Sequence, residues 1–489
     1  MRPSRLASAV VLALATLSAG DAATQVPDAG GARAAGSPAF EAMVEAAVND
    51  RALKDAQVGI AIVDVDSGRL LAGHDEHLAL NPASNAKVYT AVTALATLHG
   101  DHRFVATLSG VLKGGAVQGS LVLRGQGDPS LKTADLYALA AELKAHGARR
   151  VDGDVVVDQR FFDESTTPPA YEQKPNEWAS FRAPISAVSV NENTVTMTVR
   201  PGAEGSPAHV TFDPPGFVDV DGTVSTSEAG ADNVVLTLTP SGRRLSAKVS
   251  GSIASGSKLV RYTRRVEDPQ LLAGYALKAV LEEVGVKVSG EVKLGSREKG
   301  VVLARHESAP LSEILLPVGK NSDNFYAETI FKTLGAEAKG RPGKSEGGAE
   351  VVTKLLEKNG LWEQGMVIKN GSGLYDANRV TAKATADLLR WAYREPGVGP
   401  ELVSQLAIGG VDGTLHRRFV SLKHTRAVRA KTGTLDDVIA LSGYVLGPPG
   451  KGPIAFAIFF NKVSGKGSAA RAATDSLVAK IHKEQWSGR

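Results

Sequence analysis

Hydrophobic and polar residues follow recognisable patterns over the first hundred residues. Apolar residues recur at helical spacing over residues 40–52, and denser apolar runs at 58–65 and 69–72 predict two strands joined by a turn. A second helical pattern begins after Ser84 and ends at Gly100. This part of the chain therefore predicts a helix, a strand pair and a second helix that starts just behind a serine.

The pattern changes from about residue 102, where short alternating segments are separated by Gly, Pro, Asn and Asp. They predict a β-rich region with one helix at 136–146 and with strands at 119–124, 151–158, 194–200, 234–239 and 247–252. Helical patterns return at 271–284, 311–318, 324–334 and 349–359. The last block returns to strands, at 438–445 and 454–461, and closes with a helix at 468–482.

Strands near both ends of the chain favour one shared sheet, which makes the middle of the chain an insertion. We therefore predict an α+β fold, an antiparallel sheet flanked by helices together with a helical subdomain, with a large β-rich insertion that has the length to divide in two. The predicted segments are a signal peptide (1–22), a flexible linker (23–37), the first part of the main domain (38–101), the insertion (102–264) and the second part of the main domain (265–489).

The first residues have the layout of an export signal. Arg2 and Arg5 precede an apolar run over residues 6–17, and small residues follow up to Ala23. The run is too short to span a bilayer comfortably. We predict an exported protein, located in the periplasm or in the extracellular or cell-wall space.

Composition and charge narrow the function classes. The 489 residues include 56 Lys and Arg against 52 Asp and Glu, interspersed along the chain, so we expect no nucleic-acid partner. There is no cysteine, which excludes a thiol nucleophile and thiolate metal sites, and the ten histidines are scattered, so we predict no metal and no cofactor. The narrow apolar stripe of the closing helix allows at most a peripheral membrane association. No part of the sequence favours a particular oligomeric state.

Ser84 is followed three residues later by Lys87, at the start of a predicted helix. Residues three apart share one helix face, so the two side chains can meet. A serine needs an adjacent base to act as a nucleophile, and a lysine is such a base when burial or another cation lowers its pKa. Taken alone, the segment also fits a helix cap followed by a solvated lysine, which is the commoner arrangement.

Two later segments carry residue types that suit the same chemistry. Ser322 and Asn324 open a predicted helix and can line a cleft, although a plain helix cap fits them as well. Residues 431–434 (Lys-Thr-Gly-Thr) precede an apolar strand, and along a strand Lys431 and Gly433 point the same way. The glycine leaves room for another backbone or a ligand, and the cation and hydroxyls suit a carboxylate. A charged turn into a strand is the alternative interpretation.

Together these segments form a known set. Ser-x-x-Lys, Ser-x-Asn and Lys-Thr-Gly, in this order, are the motifs of penicillin-recognising serine acyltransferases, and the sequence resembles the D-alanyl-D-alanine carboxypeptidases/endopeptidases of the penicillin-binding protein 4 type. About 235 residues separate Lys87 from Ser322, which matches the β-rich insertion of that family and exceeds the gap in class A β-lactamases. The resemblance covers nearly the whole chain after the signal peptide. It implies the penicillin-binding/β-lactamase-like transpeptidase fold.

The resemblance also implies a reaction and a role for each motif residue. Ser84 attacks the carbonyl of the penultimate D-alanine and forms an acyl-enzyme, and Lys87 accepts its proton. Ser322 passes a proton toward the leaving amine, and Asn324 holds the substrate backbone. Peptidoglycan stem peptides are the implied substrates, and β-lactam antibiotics are the implied covalent inhibitors.

Substrate recognition is implied for the third motif. Lys431, together with Thr432 and Thr434, binds the terminal carboxylate, and Gly433 leaves room beside them. Asp158, at the end of a predicted strand in the insertion, has two interpretations. It contacts the amino group of a diamino-acid side chain, or it is an ordinary strand-end aspartate.

Other functions fit parts of the same sequence. A β-lactamase or esterase on the same scaffold is one, and a wall-binding protein without turnover is another, although every motif residue is present and no extra general base is evident. Residues 371–374 (Gly-Ser-Gly-Leu) resemble a family segment, but Asn370 and residues 375–377 depart from its usual aspartate and arginine, and the resemblance therefore does not imply a substrate contact from this loop. Residues 343–347 fit the Gly-x-Ser-x-Gly pattern of α/β-hydrolases without the preceding strand, and we expect a solvated loop there.

Overall fold

The computed structural model describes residues 36–296 and 300–487, so the predicted signal peptide and all but the last two residues of the predicted linker lie outside the described residues. Its helices are α1 (Pro38–Val48), α2 (Ala86–Leu98), α3 (Thr133–Ala145), α4 (Leu272–Glu283), α5 (Leu311–Leu316), α6 (Asn324–Lys339), α7 (Ser345–Lys358), α8 (Ala382–Arg394), α9 (Gly399–Gln405) and α10 (Gly467–Gln485). None of these helices is both long enough and apolar enough to cross a membrane.

The strands follow the chain in four groups. The first holds β1 (Gln57–Asp64), β2 (Leu70–His74), β3 (Val105–Gly110), β4 (Leu112–Lys113), β5 (Ala116–Val117), β6 (Leu121–Gly125), β7 (Arg150–Val151) and β8 (Val155–Asp158). The second holds β9 (Thr194–Arg200), β10 (His209–Asp213), β11 (Val218–Gly222), β12 (Ser225–Ser227), β13 (Asn233–Ser241), β14 (Arg244–Ala254) and β15 (Val260–Arg265). The third holds β16 (Lys287–Val288), β17 (Val292–Leu294) and β18 (Val301–Glu307). The last holds β19 (Ala407–Ile408), β20 (Val428–Leu435), β21 (Val438–Val445) and β22 (Ile454–Asn461).

A six-stranded antiparallel sheet joins the two ends of the described chain, in the order β19-β20-β21-β22-β1-β2. Alternate residues of its strands point to opposite faces. On one face Ala457 and Phe459 pack with α2, α6 and α8, and on the other Phe456 and Ile458 pack with α1 and α10. Because helices cover both faces, β21 and β22 are continuous apolar runs and not alternating ones. The sharing of one sheet by both chain ends is as the sequence predicts.

The β-rich middle of the chain forms four further sheets. Their strands include β16, β17 and β18, which pair with β7, β8 and β3, and α4 packs on the same apolar core. This pairing joins residues beyond 264, the predicted end of the insertion, to the strands of the insertion. Short polar strands such as β16 show no recognisable alternation in the sequence. We propose that the insertion extends to about residue 307.

Two features of the helices differ from what the sequence indicates. The sequence patterns do not predict α8 and α9, although Thr381 caps α8 by accepting a hydrogen bond from the Ala384 N–H. Residues 343–347 are expected to form a solvated loop, but α7 begins within them, at Ser345. Glycine is required there because α7 lies against α6: a Cβ on Gly348 would stand 2.2 Å from the Phe331 carbonyl oxygen.

Candidate active site

The segment that carries Ser84 is a tight turn anchored to the six-stranded sheet. Asn81 and Asn461, the last residue of β22, exchange two hydrogen bonds of 2.9 and 3.0 Å between their main chain and side chain atoms. The Asn81 side chain then accepts from the Ala83 N–H, and Ala83 adopts a left-handed conformation with φ of 46°. A single 3₁₀ turn containing Ser84 leads directly into α2. The nucleophile predicted from the sequence therefore lies just before a helix start, on a turn held by the end of a central strand of the sheet.

Lys87 lies one turn further along and is buried, at 1% exposure. Its Nζ is 3.1 Å from Ser84 Oγ, 2.7 Å from Asn324 Oδ1 and 2.6 Å from the Ser372 carbonyl oxygen. Burial lowers the pKa of Lys87 to about 7, against the opposing influence of the nearby carboxylates Glu328 and Asp323. The first motif, Ser84 and Lys87, therefore meets Asn324 of the second motif in the structure.

A second serine–lysine pair lies in the same site. Ser322 adopts a left-handed conformation with φ of 62°, after a π-helical turn and before Asp323, which caps α6. Lys431 of β20 is buried and donates to Ser322 Oγ and to the Thr432 carbonyl oxygen, each at 2.8 Å. Burial, with a contribution from the positive charge of Lys87, lowers the pKa of Lys431 well below its ordinary value. The second and third motifs therefore meet through a hydrogen bond between their side chains.

The remaining residues of the third motif have different surroundings. The Thr432 hydroxyl donates to Thr414 Oγ1 at 2.9 Å, and Thr434 is exposed on the wall of the cleft. A Cβ on Gly433 would stand 2.8 Å from the Pro82 carbonyl oxygen and 2.8 Å from Asn85 Nδ2. Of the two uses that the sequence left open for this glycine, the structure therefore shows close approach of another part of the backbone.

A cleft of about 650 Å³ opens over these groups. It is lined by Ser84, Ser322 and Asn324 and by the turn between β20 and β21. Four residues of the insertion also line it: Gln173, Lys174, Glu177 and Phe181. The Phe181 carbonyl oxygen accepts a hydrogen bond of 2.9 Å from Asn324 Nδ2, so the insertion also contacts a motif residue directly.

Asp158 lies apart from this cleft. It ends β8 at 2% exposure, and its carboxylate accepts hydrogen bonds from Arg124 at 2.8 Å and from Arg160 at 3.0 Å. Burial acts to raise the pKa of Asp158, but the hydrogen bonds from the two arginines hold it below its usual range. Asp158 is not among the residues that line the Ser84 cleft, and its contacts with the two arginines fit the strand-end alternative. Its contact with a substrate amine stays a prediction.

Several groups at the site were not predicted from the sequence. The loop at residues 371–374 supplies the Ser372 carbonyl that holds Lys87, and Tyr375 and Asp376 line the cleft, so this loop belongs to the site although the resemblance did not extend a substrate contact to it. Glu328 is buried beneath this loop. The signal available in the sequence was a glutamate four positions after Asn324, a spacing that places both residues on the same face of the helix. Across residues 36–296 and 300–487, no group of three or more His, Cys, Asp or Glu residues is arranged to hold a metal ion.

Comparison with known proteins gives consistent matches over most of the chain. A sequence profile of the D-Ala-D-Ala carboxypeptidase 3 (S13) family matches residues 40–481. The D-alanyl-D-alanine carboxypeptidase of Actinomadura sp. (strain R39) is 36% identical over 495 residues, covering 98% of this chain and 90% of that protein. The D-alanyl-D-alanine carboxypeptidase DacB of Haemophilus influenzae is 28% identical over 419 residues, covering 83% of this chain and 86% of that protein.

A solved structure extends the comparison to three dimensions. The crystal structure of penicillin binding protein 4 (dacB) from Haemophilus influenzae matches with a TM-score of 0.74 and 25% sequence identity, covering 90% of this chain and 98% of that chain. The predicted fold class is confirmed by this match. The similarity includes the insertion as well as the six-stranded sheet, because it spans nearly all of both chains.

Proposed function

Because the chain belongs to the D-Ala-D-Ala carboxypeptidase 3 (S13) family, we propose that it cleaves D-alanyl-D-alanine bonds of peptidoglycan stem peptides through an acyl-enzyme on Ser84. Membership makes the protein a serine-type D-Ala-D-Ala carboxypeptidase. The identity of the nucleophile, acylation by β-lactams, additional cleavage of D-Ala crosslinks and a location in the periplasm or cell-wall space belong to the proposal.

The observation that carries the proposal is the set of partners around Lys87 Nζ. Two of them, Asn324 Oδ1 and the Ser372 carbonyl oxygen, only accept hydrogen bonds. A neutral amine has two N–H groups and one lone pair. If those two oxygens take the N–H groups, the lone pair faces the third partner, the Ser84 hydroxyl at 3.1 Å. A pKa of about 7 makes this neutral form abundant at neutral pH.

The first half of the reaction follows from this arrangement. The Ser84 proton passes to Lys87 while Oγ forms a bond to the carbonyl carbon of the penultimate D-alanine. The backbone N–H groups of Ser84 and Thr434 stabilise the oxyanion, an effect that is typically worth about 3 kcal/mol per donor. Lys431 donates to Ser322 Oγ, so the Ser322 hydroxyl proton is directed to the leaving nitrogen as the C–N bond breaks. Ser322 then recovers a proton from the Lys87 ammonium, which returns Lys87 to its neutral form.

The second half of the reaction regenerates the enzyme. Water attacks the carbonyl carbon of the Ser84 ester while neutral Lys87 accepts a proton from it, Lys87 returns this proton to Ser84 Oγ as the ester C–O bond breaks, and the shortened peptide leaves.

The third motif recognises the carboxylate of the terminal D-alanine when the substrate first binds. Lys431 keeps the site electropositive, and Thr434, exposed on the cleft wall, donates its hydroxyl to the carboxylate of the terminal D-alanine. Thr432 contributes through Thr414, to which its hydroxyl is bonded.

The first test is labelling with a fluorescent penicillin. We expect a stable covalent adduct on the wild-type protein, none on Ser84→Ala, and an undiminished adduct on Ser404→Ala, which removes an exposed serine hydroxyl from α9. Release of free D-alanine from a stem pentapeptide, and cleavage of a crosslinked dimer, then measure the carboxypeptidase and endopeptidase activities separately. Rapid loss of the label with hydrolysed penicillin would indicate a β-lactamase instead. Intact penicillin and no adduct on a folded protein would indicate a non-catalytic wall-binding protein.

A further inference from the structure

A buried carboxylate on α6 lies behind the loop that contacts Lys87. Glu328 is 1% exposed and sits one helical turn after Asn324. Its Oε1 accepts the Ser372 N–H at 2.8 Å, and its Oε2 accepts the Gly371 N–H at 3.1 Å. Each carboxylate oxygen therefore accepts a hydrogen bond from one of two consecutive backbone N–H groups. An amide side chain cannot make both bonds, because it has only one acceptor oxygen.

The same loop segment holds Lys87 on its other side. The carbonyl oxygen of Ser372 accepts from Lys87 Nζ at 2.6 Å, and the carbonyl oxygen of Gly371 accepts from the Thr90 hydroxyl of α2 at 2.8 Å. The peptide backbone of these two residues is therefore bonded to α6 through its N–H groups and to α2 through its carbonyls.

Close packing removes the space in which the loop could otherwise shift. A Cβ on Gly371 would stand 2.5 Å from Phe331 Cβ, and one on Gly373 would stand 1.8 Å from the Ala83 carbonyl oxygen. Gly373 has φ of 73°, a conformation that glycine adopts without strain. The loop is consequently compressed between α6 and the turn that carries Ser84, and its position depends on what α6 presents to it.

We propose that Glu328 is a positioning residue for the Ser84–Lys87 pair, acting through the backbone of residues 371–372. The inference rests on the proposed function, because it assumes that Lys87 is the base that activates Ser84. The carboxylate fixes the Ser372 carbonyl, the carbonyl holds one N–H of the lysine, and the lone pair of the neutral amine stays directed at Ser84 Oγ. Without the carboxylate, the carbonyl is free to move and the amine to rotate away from the serine.

The charge of Glu328 also acts on Lys87, in addition to its effect on the position of the loop. Burial raises the pKa of Glu328, while the hydrogen bonds from Ser372 and Gly371 and the charge of Lys87 lower it. In its ionised form Glu328 is the strongest of the influences that raise the pKa of Lys87 against burial, followed by Asp323. The other groups that face this cluster are Lys431 from β20 and Tyr171 from the insertion, whose hydroxyl is 3.3 Å from Ser372 Oγ. Loss of the Glu328 charge therefore lowers the pKa of Lys87.

The test is the pH dependence of penicillin acylation in Glu328→Gln. We expect the acylation rate constant at pH 8 to fall at least ~10-fold, and the acidic limb of the profile to move down by ~1 pH unit, the size expected for loss of a nearby opposite charge. The matched control is Asp163→Asn, which removes the carboxylate partner of Lys332 further along the same face of α6. We expect Asp163→Asn to lower the melting temperature and to leave the acidic limb of the acylation profile at its wild-type pH.

A second readout separates failure of this inference from failure of the proposed function. In a Ser84→Ala background, the Lys87 ¹³Cε resonance, assigned by its loss in Lys87→Arg, gives the pKa of Lys87 without any turnover. We expect Glu328→Gln to lower that value even if penicillin does not acylate the wild-type protein. If Glu328→Gln does not fold, Glu328→Asp is the substitute, because it keeps the negative charge on a shorter side chain. We expect this variant to be acylated ~10-fold more slowly, with the acidic limb of its pH profile within ~0.5 pH unit of the wild-type position. An unchanged Lys87 titration in Glu328→Gln, or wild-type acylation in Glu328→Asp, would overturn the inference.

Discussion

Gly433→Ala tests how closely the third motif must approach the nucleophile. The substitution adds one methyl group where β20 crosses the turn before Ser84. The new Cβ would stand 2.8 Å from the Pro82 carbonyl oxygen, 2.8 Å from Asn85 Nδ2 and 3.0 Å from Ala440 Cβ. The amide of Asn85 cannot yield, because it is fully buried and its Oδ1 accepts from Ser442 Oγ at 2.5 Å.

The size of the effect follows from these distances. An ordinary contact of ~3.4 Å requires strand and turn to separate by about 0.6 Å. Relief of such overpacking costs about 1–3 kcal/mol of folding free energy. Thr434, whose N–H is proposed to stabilise the oxyanion on Ser84, is the next residue along the strand and moves with it. A displacement of this order between reacting groups lowers a rate about 10- to 100-fold.

The assay is the second-order rate constant for acylation by a fluorescent penicillin, measured beside a thermal melt. Gly397→Ala is the matched control, because its Cβ meets nothing within 4 Å and its backbone conformation is ordinary. We expect slow acylation in a folded Gly433→Ala protein and wild-type behaviour in the control. If folded Gly433→Ala is acylated at the wild-type rate, the close approach of β20 does not position the site, and the reasoning is wrong.

Three further predictions use the same protein and assay. Because only neutral Lys87 accepts a proton and its pKa is about 7, acylation should rise about tenfold from pH 6 to pH 8 and then level off; a rate that keeps climbing tenfold per unit to pH 9 would mean an unperturbed lysine. Asp158→Asn should leave acylation and D-alanine release unchanged while costing about 2 kcal/mol of stability, since it leaves two arginines without their buried carboxylate; a raised KM for the stem peptide would restore its role in substrate binding. Lys332→Met should leave the Asp163 carboxylate without its cationic partner and lower the melting temperature by an amount corresponding to about 3 kcal/mol of folding free energy. An unchanged melting temperature would show that this ion pair contributes nothing to stability.

Local sequence patterns were sufficient for strands with a strong hydrophobic pattern. The strands β9, β21 and β22 have the bounds that were predicted, because uninterrupted apolar or strictly alternating runs leave little choice. The pairing of β16 to β18 with the insertion was not predictable in this way. It depends on partners more than a hundred residues away, and two- or three-residue polar strands carry no periodicity.

In the candidate site, too, some contacts follow from residue type and others do not. The three motifs named Ser84, Lys87, Ser322, Asn324 and Lys431, and the structure places all five within two hydrogen-bonded groups that line or underlie one cleft. The contacts that orient them are backbone atoms, the Ser372 and Phe181 carbonyls. Any residue supplies a carbonyl, so residue type cannot reveal which one is used.

The pairing of β1 with β22 has a consequence for the order in which the chain acquires its structure. Val58 of β1 pairs with Phe460 of β22, about 400 residues later in the chain. Most strands of the insertion pair with strands that are closer in sequence, at separations from a few tens of residues to fewer than two hundred. Closing the longest loop costs the most entropy and requires β22 to have been synthesised. We therefore expect the insertion to become structured while the main sheet is still open. The anchor that β22 provides to the turn at Ser84, through Asn461 and Asn81, then forms last, so that the nucleophile is not set in place in a partly made chain.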